Sequence, residues 1–402
     1  MREYVLTTKD AERWRAVLPA SARALGSVEY LRALEQLTGA VARLFVVEWG
    51  GATTAYPFML RPVRAFPFAT ALGDLWDTFT PEYSGPVWSG SAPEWGAGRR
   101  FADVFADHCR AQRIVAEFAH LSPWTPTDLL DPACVQPNRE VVYLDLTWGE
   151  EEIWARSLTT DARRQVRQSE RAGVRVRHAE SVDDVREFHR LYQLTMERRN
   201  AHDRYLFPLG HFVELFETMP NNALFALAEF HGQIVAAGLY FHDATEVVWH
   251  LSAVDMAFAG VRPVNAYHYD TIRWAVRQGK RRLLCGGAYQ PGDGIFRFKA
   301  NFSPLRAQFH TYRRVHDADA YSVLTRAWTA QHGGLTPSAD FFPSYRSSPP
   351  EEAPAIASAG EAPDAALAAI ERFRRASERA TTPRGDQPAA SRDHPERGAA
   401  VA

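Results

Sequence analysis

The chain has 402 residues, 46% hydrophobic and 12% aromatic, enough for two domains with sizeable cores. Its net charge of −2 excludes a uniformly basic nucleic-acid binder. The three cysteines, Cys109, Cys134 and Cys285, follow neither a disulfide framework nor a metal motif, which fits a reducing compartment.

Along the chain, the first ten residues are polar and lack the apolar core of a signal peptide. No run approaches the roughly 20 apolar residues of a membrane span, so a cytoplasmic protein is expected. Residues 28–38 read as an amphipathic helix, followed by an apolar hairpin over 43–58 that turns at Gly50-Gly51. A helix over 101–112, a strand over 114–118 and a strand over 141–146 come next. Helices over 150–157 and 161–172 follow, the second capped by Thr160 or Asp161 and closed by Gly173. A strand over 174–177 leads to a long helix over 182–199, with Phe188, Leu191, Tyr192 and Met196 on one face.

A helix over 212–219 and a hairpin over 223–241 then echo the first helix and hairpin, which suggests two similar halves. A strand at 247–252, a helix at 264–278 closed by Gly279, a short strand at 282–284, a glycine loop, a strand at 307–315 and a helix near 319–329 complete the folded part. It is expected to end at residues 341–346. From 347 to 402 the chain is rich in Ala, Pro, Glu and Arg, with too few large apolar residues to offset ordering entropy, and reads as a disordered tail. Strands and helices alternate and many strands are hairpin-linked, which predicts a mixed-sheet α/β or α+β architecture. The expected divisions are 1–145, 146–346 and 347–402.

The basic residues are nearly all arginine, as in a high-GC bacterial coding bias; only Lys9, Lys280 and Lys299 are lysine. Lys299 lies in the densest motif, Cys285-Gly286-Gly287-Ala288-Tyr289-Gln290-Pro291-Gly292-Asp293-Gly294-Ile295-Phe296-Arg297-Phe298-Lys299. Glycines there allow positive φ and close approach to a ligand. If 296–299 is extended, the two Phe point one way and Arg297 and Lys299 the other. An ordinary glycine loop before an amphipathic strand has the same spacing. Arg163 and Arg167 share a helix face, as do Arg164 and Arg171, in an arginine-dense helix suited to phosphate or simply to solvent. Arg273, Arg277, Lys280, Arg281 and Arg282 form a second basic cluster, at a helix end where positive charge is favoured anyway. No histidine pair has zinc spacing, and no metal is expected.

The Gly-Gly loop, Asp293 and Phe296-Arg297-Phe298-Lys299 before Phe302 resemble the C-terminal signature of the Fem-type, peptidoglycan-bridge branch of the GNAT acyltransferase superfamily. Trp249-His250-Leu251-Ser252-Ala253 resembles the strand before that family's central helix, and Pro263-Val264-Asn265-Ala266-Tyr267 the start of that helix. Phe188 to Arg199, including Tyr192 and Arg198, resembles its middle segment, and Tyr83-Ser84-Gly85-Pro86 a first-half loop.

The resemblance implies two GNAT-like halves with mixed, mostly antiparallel sheets flanked by helices. It implies an N-acyltransferase that carries an aminoacyl group from aminoacyl-tRNA to an amine on a cell-wall precursor or small natural product, with no tightly bound cofactor. Lys299 is then expected to face the reacting carbonyl or the donor's terminal ribose or phosphate, and Asp293 to bind the incoming amine or act as base. Arg163, Arg164, Arg167, Tyr192, Arg198, Trp249, Asn265, Tyr267, Gly286, Gly287 and Phe298 are the expected substrate-binding residues. CoA-dependent relatives grip a pyrophosphate with a glycine-rich turn before the central helix. The equivalent stretch here, Asp255 to Pro263, has one glycine and a proline without an N–H. That disfavours acyl-CoA as donor without removing it. A CoA- or carrier-protein-dependent acyltransferase and a non-catalytic binding module remain the alternatives.

Overall fold

In the computed structural model, which describes residues 1–349 apart from 23, 91–99 and 288–291, the two ends of the folded chain meet in one thirteen-stranded sheet. Its strands are β1 (Arg2–Leu6), β2 (Val41–Trp49), β3 (Ala52–Pro62), β4 (Trp76–Phe79), β5 (Val87–Gly90), β6 (Ile114–Leu121), β7 (Val135–Asp145), β8 (Arg175–His178), β9 (Ala223–Phe230), β10 (Gln233–His242), β11 (Glu246–Val254), β12 (Arg282–Gly286) and β13 (Arg306–Val315). The helices are α1 (Ala11–Val17), α2 (Val28–Thr38), α3 (Phe101–Ala111), α4 (Gly149–Glu152), α5 (Thr160–Ala172), α6 (Val182–Arg198), α7 (Leu209–Thr218), α8 (Pro263–Arg277), α9 (Gly294–Ala300) and α10 (Ala318–Gln331).

The strand order is β1-β2-β3-β4-β6-β13-β7-β12-β11-β10-β9-β8, with β5 paired to β3. It reads almost the same from either end. On one side an antiparallel hairpin, β2–β3, is followed by β4 and then by β6 running parallel to β4. On the other side the hairpin β9–β10 is followed by β11 and then by β12 parallel to β11. Each parallel pair needs a crossover, supplied by α3 in the first unit and α8 in the second. At the centre the two units exchange strands. β7, which follows the first unit in the chain, pairs with β12 of the second, and β13, which follows the second unit, pairs with β6 of the first. β7 and β13 also pair with each other, so the ladder is unbroken across residue 145.

The hairpins explain the sequence echo. Both turn on two residues with positive φ, Gly50 and Gly51 in one, His231 and Gly232 in the other. Two such residues match the twist of the flanking strands. Helix starts are fixed by side-chain caps: Ser27 accepts from Tyr30 N at the start of α2, and Ser181 with Asp184 forms a capping box on α6. Thr159, not Thr160 or Asp161, caps α5.

One core gathers α2 and β2 from the first unit with α6, α7, β9 and β10 from the second, and Tyr30 meets Phe241 at 4.8 Å across that junction. The sheet therefore curls until its two wings share a core. On the opposite face, α5 and α8 cover the second unit, while α3 and α10 cover the first. Strands β1, β4 and β5 and helix α1 carry signals too short to have been read from the sequence.

The chain stays packed through Ser347. Tyr345 is fully buried, and Trp328 Nε1 donates to Ser347 O at 3.0 Å. Most of the expected tail lies outside the described residues. Among the described residues no helix is long and apolar enough to cross a membrane.

Candidate active site

The segment around Lys299 is a helix, not the extended strand considered from its alternating residues. The Asp293 side chain accepts from Phe296 N at 2.8 Å and so caps α9. That hydrogen bond starts a turn of helix and overrides the period-two pattern. At the other end Asn301 O accepts from Thr159 N at 2.9 Å, which ties α9 to the start of α5. Lys299 then projects back to the end of β12, where its Nζ donates to Gly287 O at 2.6 Å. Gly286 has φ +77°, and a Cβ there would lie 2.9 Å from Tyr83 Oη and 3.4 Å from Lys299 Nζ. Glycine is what lets two polar groups from opposite units converge on this backbone. Residues 288–291 of the loop lie outside the described residues.

The site sits where two strands part. β11 and β12 pair in parallel only through Val248 and Leu284. Beyond that point β11 continues against β10 and β12 against β7, which opens a gap between them. Rings line it: Trp249 stacks on His268 at 3.9 Å, Phe302 meets His268 edge-on at 4.5 Å, and Phe298 lies 6.2 Å from Trp249. His268 is fully buried, bonded to Tyr240 Oη at 2.8 Å and 3.8 Å from Cys285 Sγ. Burial, aided by the charge of Lys299, holds its pKa down at about 3, so it is a neutral ring. Burial likewise pushes the Cys285 thiol up to about 12, which removes it as a thiolate nucleophile at neutral pH.

The first unit contributes the loop after β4. Tyr83 adopts φ +57°, an uncommon conformation for a side-chain-bearing residue. Glu82 beside it is exposed, with protein groups gathered around its carboxyl. Crowding raises its carboxyl above the ordinary range, while Lys299, Arg139 and the Tyr83 hydroxyl pull it back. Burial depresses the half-buried Lys299 below an ordinary lysine. The charges of Glu82 and Asp293 oppose that shift and Arg199 adds to it. An ammonium, a phenol and a carboxyl with a raised pKa thus share one cleft. That set can stabilise a developing oxyanion and accept a proton.

The structure brings together Lys299, Gly286, Gly287, Phe298 and Trp249, with Asp293 at the head of α9. Tyr267 lies one layer behind, its Oη 2.6 Å from Ser252 Oγ and its ring 6.2 Å from Trp249. Asn265 is buried near the start of α8. The remaining expected residues have other partners. Arg163 Nη1 donates to the carbonyls of Trp154, Ala155 and Leu158 at 2.8–3.0 Å, closing the turn before α5. Arg164 pairs with Asp161, and Arg167 stacks over Trp154 at 5.2 Å. Tyr192 is buried among Phe188, Phe207 and Phe212 and donates to Tyr205 O. Arg198 is exposed at the end of α6. Glu82, Tyr83, Arg199 and His268 were missed as site residues. Two of them carried a signal: Tyr83 in its Tyr-Ser-Gly-Pro loop and Arg199 at the end of the middle segment that bears the resemblance.

Residues 156–300 match the acetyltransferase (GNAT) domain family. No curated protein matches the chain by sequence. The crystal structure of FemX superposes with a TM-score of 0.62 at 11% identity, covering 80% of this chain and 99% of that one. A conserved protein of unknown function from Bacteroides thetaiotaomicron superposes with a TM-score of 0.51 at 11% identity, covering 77% of this chain and 98% of that one. The second half therefore carries a GNAT domain, and the chain shares its fold with FemX.

Proposed function

We propose that this acyltransferase, GNAT-type in its second half, transfers an aminoacyl group from aminoacyl-tRNA to an amine, acting on a cell-wall precursor or a small natural product. One observation carries the chemistry: Lys299 Nζ and Tyr83 Oη meet at Gly286, from opposite units, at the mouth of the gap between β11 and β12. The acceptor nitrogen attacks the ester carbonyl. A C–N bond forms, the C–O bond to the donor ribose breaks, the amine gives up one proton and the departing oxygen gains one. Lys299 donates a hydrogen bond to the carbonyl oxygen as it becomes an oxyanion, and the Tyr83 hydroxyl, hydrogen-bonded to Glu82, orients that carboxylate. Glu82, raised by crowding, takes the amine proton. Asp293 already spends its side chain on the cap of α9, which leaves Glu82 the better placed base.

Support for a tRNA donor comes from the Fem-type resemblance and from Arg198 and Arg199, exposed at the end of α6. For CoA the support is the domain match alone. Against it, α8 starts with Arg262 at φ +56° and Pro263, which has no N–H to offer a pyrophosphate.

The test is a donor screen with labelled aminoacyl-tRNAs and labelled acetyl-CoA at low salt, counting retained label. Binding of a charged tRNA that weakens as salt rises supports the proposal and names the amino acid. Retention of acetyl-CoA alone would overturn the tRNA donor in favour of CoA.

A further inference from the structure

β7 bulges near the centre of the sheet. Phe309 of β13 pairs with Arg139 and His310 with Pro137, so Asn138 has no residue opposite it. A bulge bends its strand and re-aims the side chains beside it. Here Arg139 shares a face with its cross-strand neighbour Phe309, whose ring meets Tyr83 edge-on at 5.3 Å. Asn138 Oδ1 accepts from Arg139 Nε at 2.9 Å, which steadies the guanidinium in that direction.

The stem of Arg139 crosses Gly287. A Cβ on Gly287 would lie 3.2 Å from Arg139 Cδ and 3.1 Å from Glu140 O, so the missing side chain at 287 leaves room for the crossing. The carbonyl of the same glycine holds Lys299 Nζ at 2.6 Å. Arg139, from the first exchanged strand, thus lies over the peptide that anchors Lys299.

The charge of Arg139 reaches Glu82, Tyr83 and His120. On Glu82 it acts with Lys299 against the crowding that raises the carboxyl. On Tyr83 it opposes burial and the Glu82 charge, both of which raise the phenol. Burial, aided by Arg139 and Arg313, holds His120 down at about 4, so that ring is neutral. The groups facing Glu82 among the described residues are Lys299 of α9, Arg139 of β7, and the Tyr83 and Tyr30 phenols. Once an oxyanion forms beside Lys299, the lysine charge is compensated. Arg139 is then the cation that still favours an ionised Glu82.

We propose that Arg139 is a positioning residue of the acyl-transfer site: aimed by the Asn138 bulge and lying across Gly287, it keeps Glu82 a carboxylate beside Tyr83, ready to take the amine proton. This rests on the acyl-transfer reading of the Lys299 site.

The experiment reads the protonation of Glu82 in the full chain without any donor. A water-soluble carbodiimide with glycine ethyl ester converts protonated carboxyls to amides, and peptide mass spectrometry follows the yield at Glu82 from acid to neutral pH. Arg139→Met is expected to move the midpoint up by about half a pH unit or more, since losing a nearby opposite charge favours the protonated acid. Arg139→Lys keeps the charge and is expected to stay near the parent's midpoint. Asn138→Ala releases the guanidinium and is expected to move it part of the way. Both side chains are exposed, so each variant is expected to keep the parent's near-ultraviolet circular dichroism. An unmoved midpoint in Arg139→Met, an equal shift in Arg139→Lys, or a parent-like midpoint in Asn138→Ala would overturn the proposal. In turnover, the acid limb of kcat/KM should move up with the labelling midpoint, and a limb that stays in place would overturn the role in the reaction. The labelling uses no donor, so its failure leaves the acyl-transfer reading intact. Failure of the donor screen in turn leaves the labelling result standing.

Discussion

Lys299 is held by a carbonyl, and that constrains its charge state. Its Nζ has Gly287 O at 2.6 Å and burial around it, and the second of these lowers its pKa below the 10.5 of a free lysine. Glu82 shifts the other way, above the ordinary 4.5. If the reaction uses ionised Glu82 and protonated Lys299, kcat/KM rises with pH through the raised Glu82 pKa. It falls again through the lowered Lys299 pKa. Glu82→Gln should flatten the acid limb and leave the alkaline one. Lys299→Met should lower kcat by about 100- to 1,000-fold, the usual cost of an oxyanion donor. A Lys299→Met enzyme with the parent's kcat would remove Lys299 from the chemistry. Gly286→Ala would force a side chain into a φ of +77° and against Tyr83 Oη. It should cost more than about 1 kcal/mol in denaturant unfolding. A neutral effect would mean that Tyr83 can move aside freely.

Among the elements, α9 shows how a cap outweighs periodicity. The alternation of Phe296, Arg297, Phe298 and Lys299 is compatible with a strand, and only the Asp293 bond to Phe296 N decides for helix. By contrast α2, α6 and α8 were legible because amphipathic spacing, a capping residue or a closing glycine agreed at each. The C-terminal segment carries an interaction that sequence spacing does not reveal. Buried Asp77 on β4 accepts from Arg61 Nε at 2.8 Å, from Tyr345 Oη at 3.2 Å and from Arg346 Nε. Removing one partner of a buried ion pair strands the others. Asp77→Asn should therefore destabilise the chain by about 3–5 kcal/mol, read from denaturant unfolding. A loss within experimental error of zero would show that water can replace the carboxylate there.

At the scale of the whole molecule, the exchanged strands decide cooperativity. β6 needs β13 and β12 needs β7, so neither unit completes its sheet from its own contiguous chain. The described residues pack as one unit accordingly. A fragment of residues 1–145 leaves β6 and β7 as open edges, which favour aggregation over folding. Full-length protein should unfold in a single transition by both near- and far-ultraviolet circular dichroism. Two separated transitions, or a folded monomeric 1–145 fragment, would show that the units are independent after all.

The sequence by itself determined the hairpins, most of the helices, the repeated unit and the GNAT match of the second half. Those features rest on local physics: turn residues that accept positive φ, apolar periodicity and capping side chains all act within a few residues. The meeting of Lys299 with Tyr83 and Glu82, the pairing of β13 with β6, and the crossing of Arg139 over Gly287 belong to the tertiary structure alone. Each joins residues from distant parts of the chain, and no local preference encodes which distant strand will complete a ladder or which loop will close a cleft.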